Sequence, residues 1–298
     1  MRTNKSTIVR SWPQKASRLA FQTLQSTSTH AAAAALERAF MTPSRGKTPD
    51  AERDFLETGR AERVRGPNGD LAVWSWGEGR TVLLAHGWGS RASRFRTIVP
   101  ALLNAGFRAV AFDAPGHGAS AGRRSSLPET ARAIRFLARR ERERRGALPR
   151  AVIAHSFGCA AALLAQDSNV RFASNVFLAP AVDFDGIMQR TADMFGVSDG
   201  TVRRMIRRIE RRLGFSWDSV RVTSYARGLG SRALIFHDPE DVEVPFRDAQ
   251  SLYEAWSGAE LVSTPDLGHR RLLHDTQVAQ RIVRFLQKDR DTGPRVVR

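Results

Sequence analysis

The sequence predicts an α/β protein: a mostly parallel sheet of about eight strands flanked by helices, with a small helical insertion. Three observations lead there. Short continuous apolar runs, the pattern of strands buried on both faces, alternate with stretches of helical period. Residue types capable of chemistry cluster where those runs end. One interval of about fifty residues between two runs is too long for a single crossover helix and carries its own helical patterns.

In chain order, residues 1–36 contain neither Asp nor Glu and are rich in Arg, Ser, Thr and Ala. That composition is like a transit peptide, without the apolar core of a secretory signal. Residues 15–40, with Leu19, Leu24, Leu36 and Phe40 among alanines, read as helical, broken by the Ser/Thr cluster at 26–29. A helical extension packed on the main domain is the plain reading; a transit peptide or a membrane-surface helix are the others. Thr42 to Asp50 is rich in Pro, Ser and Gly and reads as a linker. After the turn Gly66-Pro67-Asn68-Gly69, residues 71–76 alternate like a half-buried strand. Further strands are expected over 81–85, 109–112, 151–154, 175–179, 233–236 and 260–263, with helices over 92–104, 127–145, 157–166, 246–256 and 276–288. The long interval shows helical patterns near 185–195, 200–213 and 217–227 and reads as a cap. The division that follows is a basic, partly helical extension (1–60), an α/β core (61–180 and 231–290), a helical cap (181–230) and a short tail (291–298).

Composition bounds the function. With 298 residues the chain can hold one large domain and an insertion. No apolar run approaches the ~18–20 residues of a membrane span. The single cysteine, Cys159, excludes an intrachain disulfide, fits a reducing compartment and reads as a packing residue; a cytoplasmic location is the expectation. A net charge of +17 raises the question of nucleic acid. The positive charge is almost all arginine, however, with lysine only at Lys5, Lys15, Lys47 and Lys288, and no zinc-ligand spacing or aromatic RNA-binding motif goes with it. Nucleic acid is therefore not an expected partner. In 203–213, Met205, Ile206, Ile209 and Leu213 form an apolar stripe and arginines take the other face. A cap helix with a solvated basic face is the plain reading. A basic rim for an anionic substrate or an acidic carrier protein is the sharper one, and an anionic membrane surface, with 139–145 adding charge, a third.

The chemistry-bearing segments sit at predicted strand ends, where functional residues of such sheets gather. Ala154-His155-Ser156-Phe157-Gly158 lies between a strand and a helix, as a nucleophile elbow does, with Ala154 where glycine is usual. His86-Gly87-Trp88-Gly89-Ser90 follows the strand at 81–85, and Asp113-Ala114-Pro115-Gly116-His117-Gly118 follows 109–112. His237-Asp238-Pro239-Glu240-Asp241, then Val244-Pro245, follow 233–236, and Gly268-His269 follows the last strand. A serine hydroxyl becomes nucleophilic when an imidazole takes its proton, and a carboxylate fixes that imidazole's tautomer.

These motifs, in the order serine, acid, histidine, resemble those of the α/β-hydrolase superfamily over roughly residues 65–288. The resemblance implies Ser156 as nucleophile, Asp241 as the acid, three residues before the Val-Pro pair, and His269 as base. Asp238, Glu240 and Asp113 are the rival acids and His274 the rival base. It also implies an oxyanion hole from the backbone N–H groups of Trp88 and Phe157, with Trp88, His155 and Phe157 lining a substrate pocket and His86 and His117 in structural roles. A serine at 156 disfavours the dehalogenases and epoxide hydrolases of this fold, which use aspartate. The expected activity is hydrolysis of a carboxylic ester of a small-molecule acyl substrate without metal or cofactor. A thioesterase, carbon–carbon bond hydrolase or aminopeptidase on the same residues is the alternative, and a non-catalytic binding protein a more distant one.

Overall fold

The computed structural model describes residues 14–166, 169–221 and 223–288. Among these residues the strands are β1 (Arg60–Gly66), β2 (Gly69–Trp76), β3 (Arg80–Ala85), β4 (Phe107–Phe112), β5 (Ala151–His155), β6 (Ser174–Leu178), β7 (Arg232–His237) and β8 (Ala259–Ser263). They build one sheet in the order β1-β2-β4-β3-β5-β6-β7-β8. β2 is antiparallel to both its neighbours, and β3 to β8 run parallel.

The continuous apolar runs arise because helices cover both faces. In β3, Leu83 and Ala85 enter one core and Val82 and Leu84 the other; in β7, Ala233 and Ile235 oppose Leu234 and Phe236. The helices α4 (Ile98–Asn104) and α12 (Thr276–Gln287) cover one face, and α5 (Leu127–Arg145), α6 (Phe157–Ala165) and α10 (Phe246–Ala255) the other; α11 is the short turn Gly268–Arg271. α5 begins with a serine N-cap: Ser126 Oγ accepts from Glu129 N at 3.3 Å and donates to Glu129 Oε2 at 2.7 Å. It ends at Gly146, whose φ of 78° places it in the left-handed region.

Two expected helices are divided. The stretch 92–104 is a 3-10 turn, Ala92–Phe95, followed by α4, because Asp113 Oδ1 draws Ala92 N to 2.7 Å and fixes a separate bend. The stretch 217–227 is a 3-10 turn, Trp217–Val220, and then α9 (Thr223–Ala226). Two elements enter that the periodicity did not single out. α3 (Asp50–Glu57) follows the linker. β1 reads Arg-Ala-Glu-Arg-Val-Arg-Gly, with only Val64 buried, as suits a charged edge strand.

The insertion between β6 and β7 holds α7 (Phe184–Phe195) and α8 (Asp199–Leu213). Before the sheet, α1 (Gln14–Thr27) and α2 (Thr29–Met41) are separated at Ser28, whose Oγ accepts from Ala31 N at 3.2 Å. Both pack on the insertion. The rings of Phe21 and Phe195 lie 4.6 Å apart. Glu37, 2% exposed, receives Arg208 Nε at 2.7 Å and Arg212 Nε at 2.6 Å. Part of the arginine face of α8 thus meets α2. Residues 1–13 of the basic extension and the tail at 291–298 lie outside the described residues. Among the described residues no helix is long and apolar enough to cross a membrane.

Removing one partner of a buried ion cluster leaves charge uncompensated. Glu37→Ala should lower stability by about 1–3 kcal/mol, toward the smaller figure because Arg208 and Arg212 are partly exposed, as read from denaturant unfolding. It should also speed proteolysis within residues 42–49. An unchanged midpoint and unchanged cleavage would show that α2 is not held by this contact.

Candidate active site

β5 delivers the serine. Ser156 has φ 53° and ψ −122°, a strained conformation between the last residue of β5 and the first turn of α6. Packing imposes it. A Cβ at Gly158 would stand 2.5 Å from Ala85 O and 2.6 Å from His86 O, so α6 meets the end of β3 backbone to backbone. Ser156 N donates to Leu178 O at 2.9 Å, and Ser156 O accepts from Cys159 N at 2.9 Å. Cys159 is buried, and burial raises its thiol pKa well above the usual value.

The structure brings Ser156, His269 and Asp241 together. Ser156 Oγ and His269 Nε2 are 3.0 Å apart, and His269 Nδ1 and Asp241 Oδ2 2.8 Å. An ionised carboxylate only accepts, so Nδ1 carries the proton and Nε2 is left to accept from the serine. Glu243 N and Val244 N donate to Asp241 Oδ1 at 2.7 and 3.0 Å. Burial opposes the charge on Asp241. Hydrogen bonds from His237 and His269 outweigh it, and the carboxyl is held well below its usual range. His237 had drawn no role from the sequence; its Nε2 lies 3.1 Å from Val244 O and 3.4 Å from Asp241 Oδ2.

The rivals lie elsewhere. Asp113 takes Ala92 N and Ala119 N, both at 2.7 Å, and a Cβ at Gly118 would strike its carboxylate at 2.0 Å. Asp238 Oδ1 accepts from Glu240 N at 2.8 Å and its Oδ2 accepts from Gly268 N, while Glu240 faces solvent. His269 stands on a short helical turn, Gly268–Arg271, rather than in an open loop. His274 lies in the turn before α12.

The other histidines hold backbone. His86 Nδ1 donates to Gly87 O at 2.7 Å and its Nε2 accepts from Ala114 N at 2.9 Å; burial lowers its pKa. Burial also pushes His117 down to about 3, and its Nδ1 lies 3.0 Å from Pro115 O. His155 is kept neutral by burial first and by His269 second, and its Nε2–H donates to His269 O at 2.8 Å. That bond ties the base to the strand bearing the nucleophile.

Among the described residues neither Trp88 N nor Phe157 N has a protein acceptor. Phe157 N is at the open end of α6, and the Gly87 turn approaches so closely that a Cβ there would lie 3.0 Å from Ser156 Cβ. Two free amides beside a nucleophile can receive a developing oxyanion.

Two cavities meet at Ser156. One, under the cap, is largely apolar: Trp88, Phe157, Leu127, Phe184, Ile209 and Trp217 line it, together with Phe40 and Met41 at the end of α2. The other holds His155, His269, Arg94, Arg270 and His274 beside the Gly87–Ser90 turn. The sequence carried no sign that Phe40 and Met41 reach the site, since they lie far from Ser156 along the chain. Among the described residues no group of three or more His, Cys, Asp or Glu is arranged to hold a metal ion.

The depressed Asp241 pKa has a linkage consequence: its contribution to stability is present above the unfolded-state value and is lost as pH falls toward the folded one. The unfolding free-energy difference between wild type and Asp241→Asn should stay level from neutrality to about pH 5 and fall below the ordinary value of 3.8. A difference that does not vary with pH would contradict this. Gly158→Ala, which sets a methyl against two carbonyl oxygens, should cost about 1–3 kcal/mol or more in thermal unfolding.

Comparison with known proteins bears on the fold and the family. A zebrafish (Danio rerio) serine hydrolase-like protein is 46% identical over 63 residues, 20% of this chain and 19% of that protein, so the match spans about a fifth of each. An esterase of Pyrococcus furiosus superposes with a TM-score of 0.65 at 19% identity, covering 83% of this chain and 97% of that one. An esterase of Butyrivibrio proteoclasticus, solved with ferulic acid bound, gives 0.63 at 17% identity over 78% of this chain and 100% of that one. At such identities these two structures speak for the fold. The family model described as serine aminopeptidase, S33, matches residues 78–243, more than half of the chain. The chain therefore belongs to the serine aminopeptidase, S33, family of serine hydrolases, within the α/β-hydrolase superfamily.

Proposed function

We propose that the protein hydrolyses carboxylic esters of small to medium acyl groups through an acyl-enzyme on Ser156. The observation that carries this reading is the unbroken chain from Asp241 through His269 to Ser156 Oγ, opening onto an apolar cavity. In the first half-reaction His269 Nε2 takes the Ser156 proton, Oγ bonds to the ester carbonyl carbon as its C=O π bond opens, and the resulting oxyanion accepts hydrogen bonds from the amides of Trp88 and Phe157. His269 then gives the proton to the departing alkoxide. Water, deprotonated by His269, attacks the acyl-enzyme and releases the acid and Ser156. Asp241 stays ionised and stabilises the imidazolium. These steps call for no metal or cofactor.

An ester suits the apolar cavity better than a peptide N-terminus. A free α-ammonium group needs a carboxylate free to meet it. The charged residues lining that cavity are Arg190 and Glu243, and Glu243 is engaged by Arg270 at 2.9 Å. The experiment is a p-nitrophenyl ester series of increasing acyl length beside alanine p-nitroanilide. Ester turnover with an optimum at short to medium chains is expected, with the anilide slow. Ser156→Ala should abolish turnover, and Asp241→Asn should lower kcat by about 10⁴-fold, as loss of the correct imidazole tautomer does in related sites. Anilide turnover exceeding that of every ester would overturn the ester reading.

A further inference from the structure

The two cavities at Ser156 differ in a way that orients a substrate. The apolar one does not include His269; the other does. On the hydrolase reading, on which this inference rests, His269 protonates the leaving group, so that group must lie on the His269 side. The acyl part is then left to the apolar cavity.

The His269 side is rich in unbalanced positive charge. Arg91, Arg94 and Arg96 converge on one carboxylate, Glu52, at 3.6, 3.5 and 3.8 Å. Glu52 is 2% exposed, and its Oε2 accepts a short hydrogen bond, 2.6 Å, from Ser93 Oγ. Three guanidinium groups thus share one buried anion. Arg94 extends from this cluster to line the cavity, and Arg270, already paired with Glu243, lines it as well. Burial first, and then Arg91, Arg270 and Arg96, lower the Arg94 pKa despite Glu52, so the cations here repel one another. An incoming anion would relieve that repulsion. A guanidinium fork matches the paired oxygens of a carboxylate or phosphate.

We infer that the cavity bounded by His269, Arg94 and Arg270 is a subsite for an anionic leaving group, an alcohol or thiol that carries a carboxylate or a phosphate. This surface is distinct from the arginine face of α8. It lies within reach of the reacting ester, so charge selects the substrate at the point where the bond breaks.

The test uses three acetyl esters: 4-acetoxybenzoate, 4-acetoxyphenyl phosphate and the neutral methyl 4-acetoxybenzoate. The readout is the ratio of kcat/KM for each anionic ester to that for the neutral one. Arg94→Gln should lower this ratio about tenfold, with partial recovery in Arg94→Lys. Arg270→Gln gives a second variant should Arg94→Gln fold poorly, and should lower the ratio in the same direction. Whichever anionic ester shows the larger fall identifies carboxylate or phosphate as the preferred group. Calorimetry on Ser156→Ala supplies a readout independent of turnover: 4-hydroxybenzoate or 4-hydroxyphenyl phosphate should bind more tightly than methyl 4-hydroxybenzoate, and lose that advantage when Arg94 is also changed to Gln. Ester turnover with ratios equal in wild type and both arginine variants would overturn the subsite and leave the hydrolase reading standing. Arginine-dependent anion binding in a protein that turns over no ester would overturn the ester-hydrolase reading and with it the leaving-group role, and would leave only an anion site at Arg94 and Arg270.

Discussion

The site depends on one steric constraint, the contact of α6 with the end of β3. Gly158 lies so near the carbonyl oxygens of Ala85 and His86 that the chain must reverse within a single residue after β5. That residue is Ser156, and its positive φ is the geometric result. Backbone strain of this kind costs of order 1–3 kcal/mol and persists where surrounding packing over-determines it. Here the packing is ample: β5 is central in the sheet, its residues are buried on both faces, and α6 is almost wholly apolar. The same reversal sets the Phe157 amide at the open end of α6 and brings the Gly87 turn against Ser156.

The partners reach the serine from other strand ends, each fixed by backbone hydrogen bonds. Asp241 follows β7 and is held by the amides of Glu243 and Val244, while His269 follows β8 and is held through its carbonyl by His155. Buried carboxylates survive where such donors offset lost hydration. The apolar cavity adds a different dependence. Cap helices α7 and α8 supply much of its wall, yet α2 closes part of it with Phe40 and Met41. Glu37, gripped by Arg208 and Arg212, is a charged contact between α2 and the cap, beside the hydrogen bond of Arg204 with His30 at 3.1 Å. Some of the arginine excess is therefore structural. Glu37 and Glu52 each gather more than one guanidinium, and Glu141, also buried, pairs with Arg108 at 3.5 Å.

How much of this was legible in the sequence follows from which forces are local. Strands buried on both faces announce themselves as unbroken apolar runs, so β3 to β7 could be read directly, and the cap helices α7 and α8 fell where their periodicity put them. β1 escaped because an edge strand with one buried residue carries almost no hydrophobic pattern. α3 left a weaker trace: Asp50 and Glu52 occupy its first turn after Pro49, a start signal overshadowed by the neighbouring linker composition. At the site, Ser156 and His269 were legible through motif order, and Asp241 through its place three residues before the Val244-Pro245 pair. Phe40, Met41, Arg94 and His237 were not, because their roles arise from tertiary contacts that no local pattern encodes.

The elbow makes Ser156 a nucleophile through His269, and intact-protein and peptide mass spectrometry after exposure to a fluorophosphonate tests this. A single adduct is expected, on the peptide carrying Ser156, absent in Ser156→Ala and greatly slowed in His269→Ala. An unlabelled wild-type protein, or labelling that persists at equal rate in either variant, would contradict it.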